Sequence, residues 1–241
     1  MLERLRSAAN AMSILLRRQE HLAHQLANLD TAGYKRDRLF LEMLQEALRE
    51  DSTYQTQVRL QQWLEPAQGE LEHTGGQLDV ALLGPGWLAV EQAGEVLYTR
   101  NGRLHWDEAG FLRTSSGAFV LGQTGPIRLE EARWGARVRI DGEGVLWLEE
   151  RRLDRLRLVH FARPERLEKL GGSLVRAPAD MRPQPDTQTR LRQGYLERST
   201  VDPLAALAEL IALHRLFEFQ QRSLQTADGL LGRVTSEMAK L

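Results

Sequence analysis

The last forty residues constrain this chain most. Read in steps of four and three from Ala206, they run Leu210, Leu213, Phe217, Gln220, Leu224, Ala227, Leu231, Val234 and Met238. Only Gln220 breaks the apolar run, and this is a heptad seam, the pattern of a helix that buries one stripe against another helix. Asp202-Pro203 supplies the start, with a carboxylate to accept the first free N–H groups and a ring whose φ suits the first turn. At 1.5 Å per residue the helix is roughly 55 Å long, too long for a small domain to cover. Something else in the chain must cover the stripe.

Residues 1–29 repeat the pattern. Met1, Leu5, Ala8, Met12, Leu15, Gln19, Leu22, Leu26 and Leu29 form a second seam, again with one glutamine. Gly33 is placed to adopt the left-handed conformation past the helix end. Each terminal helix is the natural cover for the other. An antiparallel pair is the simplest geometry, because the intervening chain leaves one helix and enters the other at the same end. Gln19 and Gln220 lie at nearly matching levels if the two chain ends are level. They either share a buried layer that sets register or stand at the rim facing water.

Between the helices the period changes. Leu39, Phe40, Leu41, Met43, Leu44 and Leu48 suggest a short helical continuation, followed by a polar tract to Gly69 that reads as a linker or extended arm. From Gly75 short strands recur every eight to twelve residues, punctuated by Gly84-Pro85-Gly86, Gln92-Ala93-Gly94, Asn101-Gly102, Asp107 to Gly110, Ser115 to Gly117 and Asp141 to Gly144. That spacing predicts an antiparallel β domain, and Asn101-Gly102 is a strong hairpin signal. Residues 163–185 read as Pro- and Gly-punctuated loop. The expected fold is α+β, with the β domain inserted between two helices that pair as an antiparallel coiled coil. Its parts are the N-terminal helix with its end at 1–36, the arm at 37–74, the β domain at 75–190, and the return segment with the C-terminal helix at 191–241.

Chemistry is hard to find. The net charge of −1 gives no electrostatic case for nucleic acid or anionic membrane. With no cysteine there is no disulfide, thiolate metal site or cysteine nucleophile. No run of eighteen apolar residues exists to span a bilayer. Arg4 and Arg6 before the segment 7–16 faintly resemble a signal peptide, but the apolar period continues past Arg17-Arg18 and reads as helix. His21, His24 and His214 would suffice for zinc only if brought together, and surface histidines are the simpler reading. The turns at Asp107-Glu108 and Asp141 to Glu143 lack the alternating ligands of a calcium loop. Neither a phosphate-binding glycine loop nor a nucleophile elbow is present. The expectation is no enzyme and no cofactor.

Three runs carry a family likeness. Leu26-Ala27-Asn28-Leu29-Asp30-Thr31-Ala32-Gly33-Tyr34-Lys35-Arg36 resembles the N-terminal signature of bacterial flagellar rod and hook proteins, with His24-Gln25 where that signature usually has two asparagines and Tyr34 where it usually has Phe. Leu78 to Leu82, Gly86 to Val90, Tyr98-Thr99-Arg100-Asn101-Gly102 and Val120-Leu121-Gly122 resemble the family's β domain. Gly194 to Pro203, with Phe217-Glu218 and Thr226-Ala227-Asp228, resembles its C-terminus. Within the family, Asp79 to Leu82 followed by Gly86-Trp87-Leu88, the short segment from Arg38 to Gly75, and Gly232-Arg233 are more similar to proximal rod members; Tyr34-Lys35-Arg36 and Gly194 to Glu197 are also compatible with distal ones.

The resemblance implies a structural subunit of the flagellar basal-body rod, the shaft that passes torque to the hook. It implies assembly with copies of itself and other rod and hook proteins, contact with the surrounding basal-body rings, and a periplasmic place reached through the flagellar type III export apparatus without a cleaved signal peptide. The residues implied in packing are Leu5, Met12, Leu15, Gln19, Leu22, Leu26, Leu29, Leu210, Leu213, Phe217, Gln220, Leu224, Leu231 and Met238. The signature residues Ala27, Asn28, Thr31, Gly33, Tyr34, Lys35, Asp202 and Pro203 are implied with them. The competing class is a coiled-coil adaptor that displays a ligand-binding β domain. Exposed Trp87, Trp106, Trp134 and Trp147 on one sheet face favour the adaptor; buried ones favour the structural subunit.

Overall fold

The computed structural model describes residues 2–47, 54–129 and 137–238, with side chains at 10–39, 62–129, 137–226 and 229. The chain divides into two compact units. One holds the helices α1 (Leu2–Ala27) and α2 (Pro203–Met238), and the other runs from Asn28 to Val201.

The second unit is mostly antiparallel β among the described residues, with one short 3-10 helix at Pro164–Arg166. Its strands in chain order are β1 (Asp37–Ala47), β2 (Tyr54–Leu64), β3 (Leu71–His73), β4 (Val80–Leu83), β5 (Trp87–Gln92), β6 (Glu95–Thr99), β7 (Leu104–Trp106), β8 (Leu112–Thr114) and β9 (Phe119–Val120). They continue with β10 (Val138–Ile140), β11 (Val145–Leu148), β12 (Arg151–Arg155), β13 (Leu158–His160), β14 (Glu168–Gly171), β15 (Leu174–Arg176), β16 (Gln184–Pro185), β17 (Arg190–Gln193) and β18 (Tyr195–Glu197). The main sheet runs β14-β15-β6-β5-β9-β8-β7, with β13 pairing both β5 and β16. A meander β10-β11-β12 forms a second sheet, and β17 pairs with β4 while β18 pairs with β3.

The centre of the unit is β5. Its first four residues are all buried, as a strand covered on both faces must be. Alternate side chains point to opposite faces. Leu88 therefore joins Val80, Leu82, Leu112, Val120, Ile127, Leu146 and Leu156 in one cluster, while Trp87 and Ala89 join Tyr98, Leu121, Val159, Phe161 and Val175 in another. Turn chemistry agrees where β5 meets β6: Ala93 and Gly94 have φ of 52° and 79°, the two positive values a tight hairpin turn needs.

Three expectations are corrected. The helix expected at 39–48 is a strand over its described part: β1 pairs with β2 over eleven residues each, so the arm at 37–74 contains a hairpin. In register Leu41 stands opposite Leu60 and Met43 opposite Val58, so the apolar run has period two. Asn101-Gly102 is not a hairpin turn. Neither residue has positive φ, and β6 pairs with β5 and β15 while β7 pairs with β8. Gly102 instead crosses beside β4, where its carbonyl accepts from Val80 N–H (2.9 Å) and an added Cβ would sit 1.7 Å from the Val80 oxygen. The loop expected at 163–185 contains the β14–β15 hairpin, turned through Gly171 and Gly172 at positive φ.

Candidate assembly surfaces and a buried joint

The helix unit holds α1 and α2. Asp202 Oδ1 accepts from the N–H groups of Leu204 (2.9 Å) and Ala205 (3.1 Å), so the cap is the one read from Asp-Pro. On α2 the seam residues Ala206 and Leu213 are buried, and Leu210, Phe217, Gln220 and Leu224 are half-buried. On α1 Leu22 is buried, with Met12, Leu15, Gln19 and Leu26 half-buried; Leu29, just past the helix, is half-buried too. The side chains of Leu5, Leu231 and Met238 lie outside the described residues. Arg18 and Glu209 pair across the two helices at 3.5 Å. That contact corrects one expectation. With Arg18 level with Glu209 in an antiparallel pair, a rise of 1.5 Å per residue sets Gln19 and Gln220 about 18 Å apart along the axis, so they share no layer. Gln25, one residue off the seam, is the buried amide of α1; its Nε2 lies 2.7 Å from His21 Nε2. His214 pairs instead with Glu218 on α2 (3.4 Å), and among the described residues no three His, Cys, Asp or Glu side chains are grouped to hold a metal.

Off the seam, α2 is also apolar. Leu204 is 79% exposed and Phe219 69%, with Leu207, Ile211 and Leu216 about half exposed. At about 100° per residue Leu204, Leu207, Ile211 and Phe219 fall on the side of the helix away from Ala206, Leu213 and Leu224. Soluble helices rarely leave such a stripe in water.

The signature residues build a joint in the β unit. Thr31 Oγ1 donates to Asn28 Oδ1 (3.1 Å), and Tyr34 N–H to Thr31 O (3.2 Å), folding the chain after α1 into a turn. Gly33 has the expected positive φ, +67°, but α1 ends six residues earlier, so it does not cap the helix. It passes against the backbone of Arg100, where a Cβ would lie 2.3 Å from the carbonyl carbon. Its N–H donates to Glu197 O (2.7 Å). Thr200 N–H donates to Tyr34 O (3.1 Å) and Arg36 N–H to Thr200 Oγ1 (2.7 Å). The chain leaving α1 is thus bonded to the chain entering α2.

Beneath this pairing lies a buried ionic cluster. The Lys35 and Glu197 side chains are 1% and 0% exposed and in hydrogen-bond contact, and Arg100 Nε donates to Glu197 Oε2 at 2.8 Å. Gly69 N–H donates to Glu197 Oε1 (2.7 Å). The remaining guanidinium nitrogens of Arg100 donate to the carbonyls of Leu82 (3.1 Å), Gly84 (2.8 Å) and Gly86 (2.7 Å). Burial pushes the Lys35 ammonium down to about 8, against the opposing pull of Glu197. Nearby, Lys169 Nζ sits 3.7 Å from the Tyr34 ring centre and 2.6 Å from Asp37 Oδ1. Burial, helped by the Asp37 charge, holds the Tyr34 hydroxyl well above its usual range. Sequence reading singled out Lys35 but missed Glu197 and Arg100. The available signal was a charge within each strand-like run, Tyr98 to Gly102 and Gly194 to Glu197.

The tryptophans are divided. Trp87 is 2% exposed, Trp106 packs against the core, and Trp147 is half-buried with Arg139 5.1 Å over its ring. Trp134 lies outside the described residues. An open groove of about 490 Å³ is lined by Arg155, Arg157, Leu158, Pro183, Asp186 and Thr187. Its carboxylate, Asp186, is taken up by the N–H groups of Gln188 and Thr189 and by the Thr189 hydroxyl.

Sequence comparison fits this picture. Residues 81–147 match the model of the flagellar hook protein FlgE/F/G D1 domain, and residues 192–237 that of the flagellar basal body rod FlgEFG protein C-terminal region. The chain is 31% identical to the flagellar basal-body rod protein FlgF of Escherichia coli over 245 residues, covering 94% of each. It is 29% identical to FlgF of Caulobacter vibrioides, covering 94% of each, and 28% identical to FlgG of Buchnera aphidicola, covering 89% of this chain and 91% of the relative. The chain belongs to the flagellar basal-body rod protein family.

Proposed function

We propose that this structural rod subunit assembles through α1 and α2: the two helices pair as an antiparallel coiled coil, and the open apolar face of α2 takes neighbouring subunits. The observation that carries this is the second stripe, Leu204, Leu207, Ile211 and Phe219, which is exposed while Ala206 and Leu213 of the seam are buried. A helix with two apolar faces has more than one neighbour. Copies joined by such unlike faces, repeated by a rotation that does not close, build a helical shaft. That shaft passes torque to the hook and serves motility. The Arg18–Glu209 pair supports the antiparallel sense, since each residue is near the end of its helix that meets the β unit in sequence.

The family is one of structural rod proteins, not enzymes. The subunit's partners are copies of itself, other rod and hook proteins, and the surrounding basal-body rings. It lies in the periplasmic part of the basal body, at the proximal level of the rod, and reaches it by the flagellar type III apparatus without a cleaved signal. No helix among the described residues is long and apolar enough to cross a membrane. The buried Trp87 argues against the ligand-displaying adaptor.

The test pairs two substitutions. Leu224→Asp puts a charge in the seam and should cost several kcal/mol in helix-unit stability as well as assembly. Phe219→Asp changes an exposed position, so the monomer's unfolding midpoint should stay put while incorporation into basal bodies is lost. Rods that incorporate Phe219→Asp normally refute the second surface.

A further inference from the structure

Glu197 is enclosed, and both its carboxylate oxygens are in use. Oε1 accepts from Lys35 Nζ and Gly69 N–H, Oε2 from Arg100 Nε, and its backbone carbonyl from Gly33 N–H. Arg100 and Lys35 also donate to the carbonyls of Leu82, Gly84, Gly86 and Ala67. The cluster thus joins the stretch after α1, the stretch after the β1–β2 hairpin, the turn between β4 and β5, the end of β6, and the stretch before α2. Two buried cations share this one carboxylate, so removing it leaves both without a counter-charge, a far larger penalty than the pair's net worth.

The apolar packing of the sheet core does not draw on the stretches that follow α1 and precede α2. Among the described residues, the buried members of the three apolar clusters all lie between Leu64 and Leu191; none comes from 28–36 or 195–201. Among the described residues, the strand that carries Glu197 pairs with β3 alone.

We propose that the Glu197 cluster is a latch: closed, it holds residues 31–36 and 195–200 on the β unit; open, it releases both stretches together while the sheet core stays folded. Its mechanical meaning rests on the rod reading above. The covalent links to α1 and α2 leave from these two stretches, so load applied to packed helices crosses the latch before it reaches the sheet.

Native-state hydrogen exchange on the full chain, kept monomeric and verified so by sedimentation, tests this. In Glu197→Gln the amides of Gly33, Arg198 and Thr200, which donate across the joint, should exchange at least about 100-fold faster. The amides of Ala89, Leu121 and Leu156, which donate within the sheet core, should stay within about two-fold of the parent. Equal acceleration at all six, or none at the first three, overturns the latch. Should Glu197→Gln fail to fold, Lys35→Met retains the Glu197–Arg100 pair; it should accelerate the same three amides by a smaller factor, and uniform acceleration again overturns the proposal. Because the readout is on the monomer, failure of α2 to drive assembly leaves the latch standing, and failure of the latch leaves the helix surfaces standing.

Discussion

Gly33→Ala puts the joint under a defined load. At φ +67° any side chain costs about 1–2 kcal/mol, because Cβ crowds the following carbonyl. The new Cβ would also lie 2.3 Å from the Arg100 carbonyl carbon, and 2.4 Å from the Arg100 oxygen and the Asn101 nitrogen. All three are backbone atoms, so no flexible side chain can swing away. Reaching ordinary contact means a shift of about 1 Å in one backbone or the other, an overpacking cost of about 1–3 kcal/mol. The sum is roughly 2–5 kcal/mol. Gly75→Ala is the matched control: φ is +71°, and nothing lies within 4 Å of its Cβ, so the backbone cost of about 1–2 kcal/mol stands alone. Urea unfolding, followed by tryptophan fluorescence, to which buried Trp87 contributes, reads both variants against the parent. Gly33→Ala should exceed Gly75→Ala by at least about 1 kcal/mol. Equal losses would show that close approach to Arg100 contributes nothing and that Gly33 is needed only for its φ.

Two further outcomes are expected. Asp202→Ala removes the acceptor for the N–H groups of Leu204 and Ala205 and should cost about 1 kcal/mol of α2 stability, read as faster exchange in the helix's first turn. The Lys35 ammonium is pulled from 10.5 in the unfolded chain to about 8 when folded. Between those values the unfolded chain holds the extra proton, so stability from this group rises as pH climbs from 8 towards 10 and is flat below 8. Unfolding free energy measured across that window should climb in the parent relative to Lys35→Met; parallel curves would refute the burial of the charge.

Local signals were legible wherever the answer is local. The Asp202-Pro203 cap depends on the first turn alone, and the helix it starts runs from Pro203 to Met238. The turns at Ala93-Gly94, Gly110, Gly117 and Gly144 each needed a left-handed residue, and glycine marks them. The run at 39–48 misled because it fits two periods at once. Leu39, Leu41 and Met43 alternate as a strand does, while Phe40, Leu44 and Leu48 recur at helical spacing. Only pairing with Gln62, Leu60 and Val58, well along the chain, selects the strand. Asn101-Gly102 misled for a related reason. The dipeptide permits a hairpin, but Gly102 is required for its approach to Val80, and that contact draws β7 away from β6.

What the sequence by itself determined is therefore the inventory: two striped helices, the second capped by Asp202, a strand-rich middle, and a family likeness spread over three runs. Periodicity, turn conformation and capping are short-range, so each is written in neighbouring residues. Only the tertiary structure decided what Lys35, Arg100 and Glu197 do. They are 65 and 97 residues apart in succession, and nothing in the spacing of three charges says that they meet. The fold brings them into one dry site, where each charge is tolerable only because the others are present.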